Sequence, residues 1–285
     1  MPVGTAFDLH THSTVSDGTE PPAQVVRQAA AQGLGGLALT DHDSTAGWPD
    51  ATAAARETGT ALIPGIELST RLGWRSVHVL GYLVAPDDAA LVAETDRIRE
   101  SRLTRARRIV DSIAQDHPIT WEDVVAQTGE GATVGRPHIA DALVALGIEP
   151  DRSAAFAGTL HPRRGHVEPH YAPAPVDGVR LIRAAGGVPV LAHPGATRAE
   201  WVLPEEEVAL LIDAGLFAME ADHPENTRDG GVLAHEMAAR LGVPVTGSSD
   251  YHGSGKPNRL GQRTTAPAVV DALLEQATGW RPVLP

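Results

Sequence analysis

Short apolar runs alternate with longer amphipathic stretches along the chain, and this rhythm constrains the fold more than any other feature. The runs are four to six residues long and rich in valine, leucine and isoleucine, as expected of strands buried on both faces. They lie at residues 7–12, 37–40, 61–66, 77–82, 188–192, 216–219 and 243–247. Helical periodicity fills the intervals at residues 22–32, 47–57, 176–185, 204–214, 229–241 and 269–276. The pattern predicts an α/β fold in which helices wrap a barrel of parallel strands.

The rhythm stops between residues 96 and 169, where no strand pattern is present. Helical periodicity covers 97–115, 121–127 and 136–146 instead. We therefore expect a helical insertion at 97–169 that covers the site, between a first part of the barrel at 1–96 and a second part at 170–285.

The first predicted strand carries two histidines and is followed by an acidic residue. His10 and His12 point to the same face of an extended strand, and Asp17 follows on a Ser-Asp-Gly turn. Two imidazoles at this spacing chelate divalent ions, and a carboxylate adds a hard oxygen ligand. The alternative is a strand whose polar face meets water.

Ligand-type residues also sit on or just after the other predicted strands. Because catalytic groups of such barrels gather where the strands end, these side chains should converge in space. A single buried histidine is more often structural, but a set of this size favours a metal centre over coincidence. The set consists of His10, His12, Asp17, His42, Glu67, His78, His193, Asp250 and His252.

The motifs around these residues resemble those of the PHP (polymerase and histidinol phosphatase) phosphoesterases, a family related to the amidohydrolases. Six motifs occur in the family's order, at residues 8–18, 40–43, 65–67, 78–82, 192–194 and 249–253. The resemblance implies a distorted (β/α)7-type barrel that holds three divalent ions, Mn²⁺ foremost, with Fe²⁺ and Zn²⁺ as alternatives. It assigns one ion to His10, His12, Glu67 and Asp250, a second to Glu67, His78 and His193, and a third to Asp17, His42 and His252.

Three such ions favour a phosphate substrate. Their six positive charges exceed the three ligand carboxylates by about three, which a phosphate dianion and a metal-bound hydroxide would neutralise. We expect Glu67 and Asp250 to take part in catalysis through the ions. His223, after the strand at 216–219, is the candidate for protonating the leaving oxygen, with solvent, a metal or a mere surface-loop role as alternatives.

Substrate contacts are predicted mainly in the insertion. Arg136 and His138 open a helix in a Gly-Arg-Pro-His stretch, where backbone N–H groups and a guanidinium can hold an anion. Nucleotide-cleaving members of the resembled family carry a similar stretch. Arg163, Arg164 and Lys256 lie in loops that could also approach the pocket, with weaker support, and the alternative for each is an ordinary surface cation. The six arginines between residues 97 and 108 indicate either a solvated helix face or a nucleic-acid-binding strip.

The composition restricts the kinds of binding partner and the location that we expect. A net charge of −13 argues against a long nucleic-acid footprint and favours small phosphorylated substrates. The absence of cysteine excludes disulfides and thiolate metal sites. No apolar run approaches membrane-spanning length and no leader is evident at residues 1–5, so we expect a cytoplasmic protein.

The sequence therefore predicts a metal-dependent phosphoesterase that acts on a small nucleotide. The expected reaction is removal of the 3'-phosphate from a nucleoside 3',5'-bisphosphate, or of nucleotides from short RNA. The alternatives are a histidinol-phosphate phosphatase or another small-molecule phosphatase, and a non-catalytic metal-binding regulatory module.

Overall fold

The computed structural model describes residues 6–129, 131–196 and 203–285. Within these ranges seven strands form one sheet whose spatial order follows the chain. Thr11 of the first strand forms a parallel bridge to Tyr251, beyond the last strand, so the sheet curls into a nearly closed barrel. The strands are β1 Phe7–Thr11, β2 Gly36–Leu39, β3 Ala61–Leu72, β4 Arg75–Tyr82, β5 Val188–Leu191, β6 Ala218–Asp222 and β7 Val245–Gly247. All seven predicted strands are confirmed.

Outside the segment between β4 and β5, the helices also agree with the sequence periodicity to within a few residues. Four of these helices have proline in the first turn, where a missing N–H costs nothing. Their apolar faces pack on the sheet and form the main core. The helices of the described chain are α1 Pro22–Ala31, α2 Trp48–Thr58, α3 Ala89–Ile113, α4 Trp121–Val125, α5 Arg136–Ala145, α6 Arg152–Ala157, α7 Pro175–Ala184, α8 Glu205–Asp213, α9 Arg228–Leu241 and α10 Pro267–Gln276.

The expectation that all strands run parallel is wrong at β4. This strand pairs antiparallel with both β3 and β5. The reason is the short connection: Gly73, at φ 60°, and Trp74 alone link β3 to β4, whereas a parallel pairing needs a crossover of a dozen or more residues. β3 and β4 consequently form a long hairpin, and His78 on β4 lies directly opposite Ser69 on β3.

The segment between β4 and β5 is helical, as expected, and has an apolar core of its own built around Ile109, Ile113, Ile139 and Leu143. Its first helix, α3, begins at Ala89, eight residues before the predicted start, because the Asp88 side chain caps it by accepting the N–H groups of Ala90 and Leu91. The helix α6 was not predicted. Since α3 contributes Leu91 and Ile98 to the barrel core, the division at residue 97 stays a prediction.

No helix of the described ranges combines the length and the apolar character needed to cross a bilayer.

Candidate metal centre

The nine predicted ligands meet at the end of the barrel where β1, β2, β5 and β7 finish. Glu67 lies at the centre of the group and is buried, with 1% of its surface exposed. Its Oε1 is 2.7 Å from His78 Nδ1 and 3.1 Å from His193 Nε2. Its Oε2 is 3.1–3.2 Å from ring nitrogens of three further histidines, His10, His12 and His42. One carboxylate therefore contacts five imidazoles, which is the arrangement expected of a bridging ligand.

Four of the groups form a compact set that matches one predicted ion site. His10 Nε2 lies 3.0 Å from His12 Nε2 and 3.2 Å from Glu67 Oε2. Asp250 Oδ1 completes the set, at 3.6 Å from His10 Nε2 and 3.4 Å from His12 Nε2. Ligands that hold an ion at about 2.1 Å in octahedral geometry are about 3.0 Å apart, so these four donors fit around a single cation.

The remaining ligands are brought together in a different partition from the predicted one. Asp17 Oδ1 is 3.2 Å from His252 Nε2, and Asp17 Oδ2 is 3.8 Å from His42 Nε2, in line with the expected third ion. The most compact groups, however, combine His12 with Asp17 and His42, and join His42 with Glu67 and His78. His193 contacts Glu67 but belongs to none of these compact groups. The assignment of ligands to individual ions thus stays a prediction.

Two buried ring nitrogens support metal binding. Nδ1 of His42 and Nδ1 of His78 lie 3.1 and 2.7 Å from Glu67 oxygens, yet neither atom has a hydrogen bond. A buried polar atom without a partner is costly, and a shared cation would satisfy both nitrogens at this spacing. Imidazole and carboxylate donors suit Mn²⁺, Fe²⁺ and Zn²⁺ alike.

In the metal-free cluster, protons on histidines balance the charges of the carboxylates, and a bound metal ion must displace these protons. Burial lowers the pKa of His12, but hydrogen bonds to Asp250 and Glu67 outweigh it and raise the pKa to about 9. The pKa of His10 is also raised, since the charges of Glu220, Glu67 and Asp250 overcome its burial. Burial acts to raise the pKa of Glu67 itself, but His42, His78 and His10 hold it well below the usual value. Metal binding is therefore coupled to proton release.

Glu220 contacts the candidate ligands but was missed by the sequence analysis. It is fully buried in the middle of β6, and its Oε1 lies 3.1 Å from His10 Nδ1. Its Oε2 accepts the backbone N–H of His193 at 2.8 Å, and its Oε1 also accepts the hydroxyl of Ser248. A carboxylate behind a ligating histidine fixes the tautomer and the orientation of the ring. The signal was present, because an acidic residue ends the run at 216–219.

Two further buried carboxylates brace the loops that carry ligands. Asp41 accepts hydrogen bonds from Ser13 N at 2.8 Å and from the Ser16 hydroxyl at 2.7 Å, and Ser16 Oγ is 3.2 Å from His12 Nδ1. Asp8 accepts the backbone N–H of Ser249 at 3.0 Å, next to Asp250. Burial raises the pKa of Asp8 to about 6 against the lowering effect of these hydrogen bonds.

The backbone is strained at the site. Asp43, His193 and Asp250 all have positive φ, at 52°, 31° and 51°. Non-glycine residues adopt this region at a cost, and such strain gathers at functional sites. Each of these residues follows a strand, where the bend aims a side chain into the barrel mouth.

His223 is buried beside Asp250, so the surface-loop alternative is wrong. Its side chain is fully buried and its Nε2 is 3.4 Å from Asp250 Oδ2. Because Nδ1 accepts the backbone N–H of Glu225 at 3.1 Å, the proton of the neutral ring sits on Nε2, which faces the cluster. Lys256 Nζ also contacts Asp250 Oδ2 and is 3.2 Å from Glu225 Oε1.

Comparisons with known proteins agree with this site. The PHP domain family model matches residues 8–115. The chain is 33% identical over 260 residues to a 3',5'-nucleoside bisphosphate phosphatase of Chromobacterium violaceum, and the match covers 89% of each protein. It is 34% identical over 273 residues to a phosphoribosyl 1,2-cyclic phosphate 1,2-diphosphodiesterase of Eggerthella lenta, which covers 91% of this chain and 99% of the relative. The chain belongs to the PHP domain family.

Two other similarities agree with the family. This PHP chain is 36% identical over 255 residues to a 5'-3' exoribonuclease of Haemophilus influenzae, with 86% and 89% of the two proteins covered. A crystal structure from Bifidobacterium adolescentis, described as that of a metal-dependent phosphoesterase, superimposes with a TM-score of 0.93, at 40% identity and 98% coverage of both chains. The names of these relatives all denote enzymes that act on phosphate esters, and the PHP fold predicted from the sequence is confirmed.

The residues predicted to contact substrate lie in different environments in this PHP domain, and some are buried while others are exposed. His138 is buried, and its Nδ1 accepts the Gly135 N–H at 3.1 Å, so one ring nitrogen is engaged in capping α5. The Arg136 guanidinium lies 5.6 Å from the centre of the Phe156 ring. Arg163 and Arg164 are exposed in a short 3₁₀ helix. The roles of Arg136, His138 and Lys256 in substrate binding remain proposals.

The arginines of α3 divide between two environments, so neither the solvated face nor the nucleic-acid strip describes the whole set. Arg102 and Arg105 are 7% and 8% exposed, while Arg107 and Arg108 face solvent. Arg102 Nε donates to Asp43 Oδ2 at 2.9 Å, and its Nη2 donates to the hydroxyl of Ser69. The sequence contained a signal for which arginines are buried, because Arg102 and Arg105 share one helix face with the apolar residues Ile98 and Ile109.

Arg105 carries a charge that the described structure leaves poorly compensated. Its Nε has no hydrogen-bond partner among the described residues. Burial lowers its pKa to about 8, and the charges of Arg102, Arg136 and Arg71 lower it in the same direction. Burial and the charges of Arg102, Arg105 and Arg71 likewise lower the pKa of His170 to about 2, so this imidazole is neutral. We call Arg71, Arg102, Arg105 and Arg136 the arginine cluster.

Proposed function

We propose that this chain hydrolyses the 3'-phosphate ester of small nucleotides that also carry a 5'-phosphate, with nucleoside 3',5'-bisphosphates and short 5'-phosphorylated RNA as substrates. The proposal includes three divalent ions, Mn²⁺ foremost, held by the nine residues above, and a cytoplasmic location. The observation that carries it is the arginine cluster, which lies directly beside the candidate metal centre.

The two sites share the β3–β4 hairpin. Ser69, whose hydroxyl binds Arg102, lies opposite His78, and both residues are on the hairpin face that carries Glu67. Asp43, the other partner of Arg102, directly follows the candidate ligand His42. One small molecule can therefore place one phosphate at the metal centre and a second phosphate at the arginines.

The arginine cluster has the character of an anion receptor. Burial and the charges of Arg102, Arg136 and Arg71 lower the pKa of Arg105, while Glu168 opposes them, and the buried Arg105 Nε has no hydrogen-bond partner among the described residues. Arg102 also lies against the amino-terminal end of α5, since a Cβ built on Gly135 would be 3.6 Å from Arg102 Nη1. Guanidinium forks and the backbone N–H groups at a helix start both bind phosphate.

The chain's own residues would divide the chemical work. Glu67 and the eight other ligands would hold divalent ions, which supply charge stabilisation and a lowered pKa for bound water. The arginine cluster would fix the 5'-phosphate and so orient the ribose. His223 would donate a hydrogen bond from its Nε2–H to the departing O3', which would take its proton from solvent, and Asp250, 3.4 Å away, would keep the ring in that orientation.

The arginine cluster also weighs against the competing functions. Histidinol phosphate carries one phosphate and a cationic amine, which four guanidinium groups would repel. A purely regulatory metal module would have no use for a buried uncompensated charge beside its metal ligands, because such a charge lowers the free energy of unfolding.

A substrate panel tests the proposal. Orthophosphate release by Mn²⁺-loaded protein would be measured on a nucleoside 3',5'-bisphosphate, a nucleoside 3'-monophosphate, a nucleoside 5'-monophosphate and histidinol phosphate. We expect the bisphosphate to have the highest kcat/KM and to yield the nucleoside 5'-monophosphate. The variant R105M should lose this preference but retain turnover of p-nitrophenyl phosphate, which has no second anion, while E67A should lose both activities. Equal turnover of the bisphosphate and the 3'-monophosphate would contradict the proposal.

A further inference from the structure

Two salt-bridged residues of the insertion, Arg152 and Asp141, contact the loop that carries a candidate metal ligand. Arg152 Nε and Nη2 donate to the two carboxylate oxygens of Asp141 at 2.7 and 2.6 Å. Arg152 Nη1 donates to the backbone carbonyl oxygen of Asp17 at 3.1 Å. Asp141 lies on α5 and Arg152 begins α6, so one guanidinium joins two helices of the insertion to the loop after β1.

The insertion also binds the residues that come just before Asp17. The Thr133 N–H donates to the Val15 carbonyl oxygen at 2.9 Å. Gly129 packs closely on the neighbouring residue, since a Cβ built on Gly129 would be 2.7 Å from the Thr14 carbonyl oxygen. Several carbonyl oxygens of this loop therefore face the insertion, which holds the loop from one side.

The same guanidinium packs against a second loop, the one after β7. A Cβ added to Gly255 would clash with Arg152 Nη1 and would lie 2.8 Å from Arg152 Cζ. The two loops are also joined to each other, because the Thr19 N–H donates to the His252 carbonyl oxygen at 3.1 Å. Asp17 Oδ1 is 3.2 Å from His252 Nε2. Arg152 thus supports both loops at the point where their candidate ligands meet.

Arg152 keeps its charge although its side chain is only 11% exposed. Burial acts to lower the pKa of Arg152, but the hydrogen bonds and charge of Asp141 and the charge of Asp17 outweigh it and raise the pKa. The bidentate contact with Asp141 fixes the plane of the guanidinium, which leaves Nη1 aimed at the Asp17 carbonyl oxygen.

Other candidate ligands have a different kind of support. Glu67 and His78 lie within the β3–β4 hairpin, where ladder hydrogen bonds fix the backbone. Asp17 lies in a loop beyond the end of β1, so its position depends on the groups that hold this loop. A change at Arg152 should therefore act on Asp17 and His252 and leave the ligands of the hairpin in place.

We propose that Arg152 is a positioning residue for the ion that Asp17 helps to hold. The salt bridge between Arg152 and Asp141 sets the geometry of Asp17 and His252, and the insertion thereby controls the occupancy of one of the three ions. This inference rests on the proposed function, which includes three ions. Arg152 acts on the backbone of a ligand, and residues that orient ligands in this way typically contribute about 10–100-fold to metal affinity.

Mn²⁺ uptake by chelator-treated protein tests this role. Equilibrium dialysis against increasing free Mn²⁺, followed by elemental analysis, gives the number of bound ions and the concentration at which each binds. In R152M one ion of three should require about 10–100-fold more free Mn²⁺, while the other two bind within about twofold of wild type. R152K keeps the charge but cannot form the fork to Asp141, so it should show an intermediate loss.

R240M is the matched control. Arg240 joins α9 to α8 through two contacts with Glu205, at 3.0 and 2.9 Å, and neither helix carries a candidate ligand. All three ions should bind to R240M as they do to wild type. Thermal unfolding of metal-free R152M should remain a single transition, because the apolar core of the insertion is unchanged. If R152M does not fold, R152K and D141N provide the same comparison, and both should show the selective loss of one ion.

Turnover of the nucleoside 3',5'-bisphosphate gives a second readout. R152M should be less active than wild type at limiting Mn²⁺, and saturating Mn²⁺ should restore its kcat to within about twofold of wild type. A general loss of structure would not be restored in this way.

The outcomes separate the two proposals. Unchanged uptake of all three ions by R152M, or an equal weakening of all three, would overturn the role of Arg152 while the proposed function stands. A wild type that bound fewer than three ions would overturn the ion count on which both depend. A wild type that bound three ions but hydrolysed no nucleotide would overturn the proposed hydrolysis alone, since the uptake curves judge Arg152 independently.

Discussion

Replacement of Arg105 by methionine should stabilise the metal-free protein, although it should impair the binding of a second anion. Arg105 is 8% exposed and its Nε has no hydrogen-bond partner among the described residues. At neutral pH its guanidinium is charged in both the folded and the unfolded chain, because even the lowered pKa of about 8 lies above that pH. The folded protein therefore bears the full cost of this charge below pH 8, and the cost declines only as the pH rises above about 8.

The size of the effect follows from the same pKa. Lowering the pKa of a guanidinium from its usual range to about 8 corresponds to at most about 6 kcal/mol, at about 1.4 kcal/mol per pH unit. Buffer anions and small rearrangements of neighbouring side chains reduce this cost. We therefore expect R105M to raise the free energy of unfolding by about 1–3 kcal/mol, as observed when buried charges are replaced by apolar groups of similar volume. Each kcal/mol should raise Tm by roughly 2–4 °C.

The assay is thermal and urea unfolding of chelator-treated protein, with and without inorganic sulfate. Sulfate should stabilise wild type more than R105M, because an anion that binds the folded state adds RT ln(1 + [L]/Kd) to its stability. The matched control is R107M, on the same helix but facing solvent, with its guanidinium 4.9 Å from the Trp121 ring centre. This change should destabilise by about 0.5–1 kcal/mol, the value of an exposed cation–π contact. A destabilised R105M, or equal sulfate effects on R105M and wild type, would refute the reasoning.

Three further outcomes follow from the site. E220Q should weaken Mn²⁺ binding about 10–100-fold in a calorimetric titration, since Glu220 contacts His10 Nδ1 and the His193 N–H, and unchanged affinity would rule out this supporting role. H223L should lower kcat for a nucleotide by about 10²-fold but affect p-nitrophenyl phosphate little, because a good leaving group needs no hydrogen-bond donor; parallel losses on both would argue against a role at the leaving oxygen. Mn²⁺ affinity should rise between pH 6.5 and about 9. The pKa of His12 is raised to about 9, so its proton stabilises the metal-free fold fully below pH 6.5 and is lost as the pH rises through 9, and a bound ion no longer has to displace it. A flat affinity over that range would contradict this coupling.

The strands could be predicted because burial on both faces leaves a local signature, a short apolar run with turn residues at each end. The direction of β4 could not be predicted from its composition, since the same run pairs either way. The information lay in the connection: no helical stretch separates the runs at 61–66 and 77–82, and Gly73 with Trp74 closes a hairpin. The residues that follow strands converge because the barrel brings those strand ends together, so the candidate ligands could be inferred one strand at a time.

The residues that support the ligands were harder to predict, because their role exists only through long-range contacts. Glu220 reaches His10 across 210 positions of the chain, and its place directly after the apolar run at 216–219 was the single local signal. Arg102 and Arg105 differ from Arg107 and Arg108 only in the helix face that the hairpin covers. The partition of ligands among ions also depends on distances of a few tenths of an ångström, which sequence spacing does not encode.

Under the proposed function, the insertion would select the phosphate ester that reaches the metal centre. The barrel supplies all nine candidate ligands, while α3 and α5 supply three of the four arginines. With a net charge of −13, the protein as a whole repels a long polyanion, whereas the arginine cluster would attract a local anion. A terminal 5'-phosphate is therefore the part of an RNA that we expect this chain to hold. Longer RNA should bind no more tightly than a short 5'-phosphorylated oligonucleotide, and an affinity that rose steadily with RNA length would argue against this view.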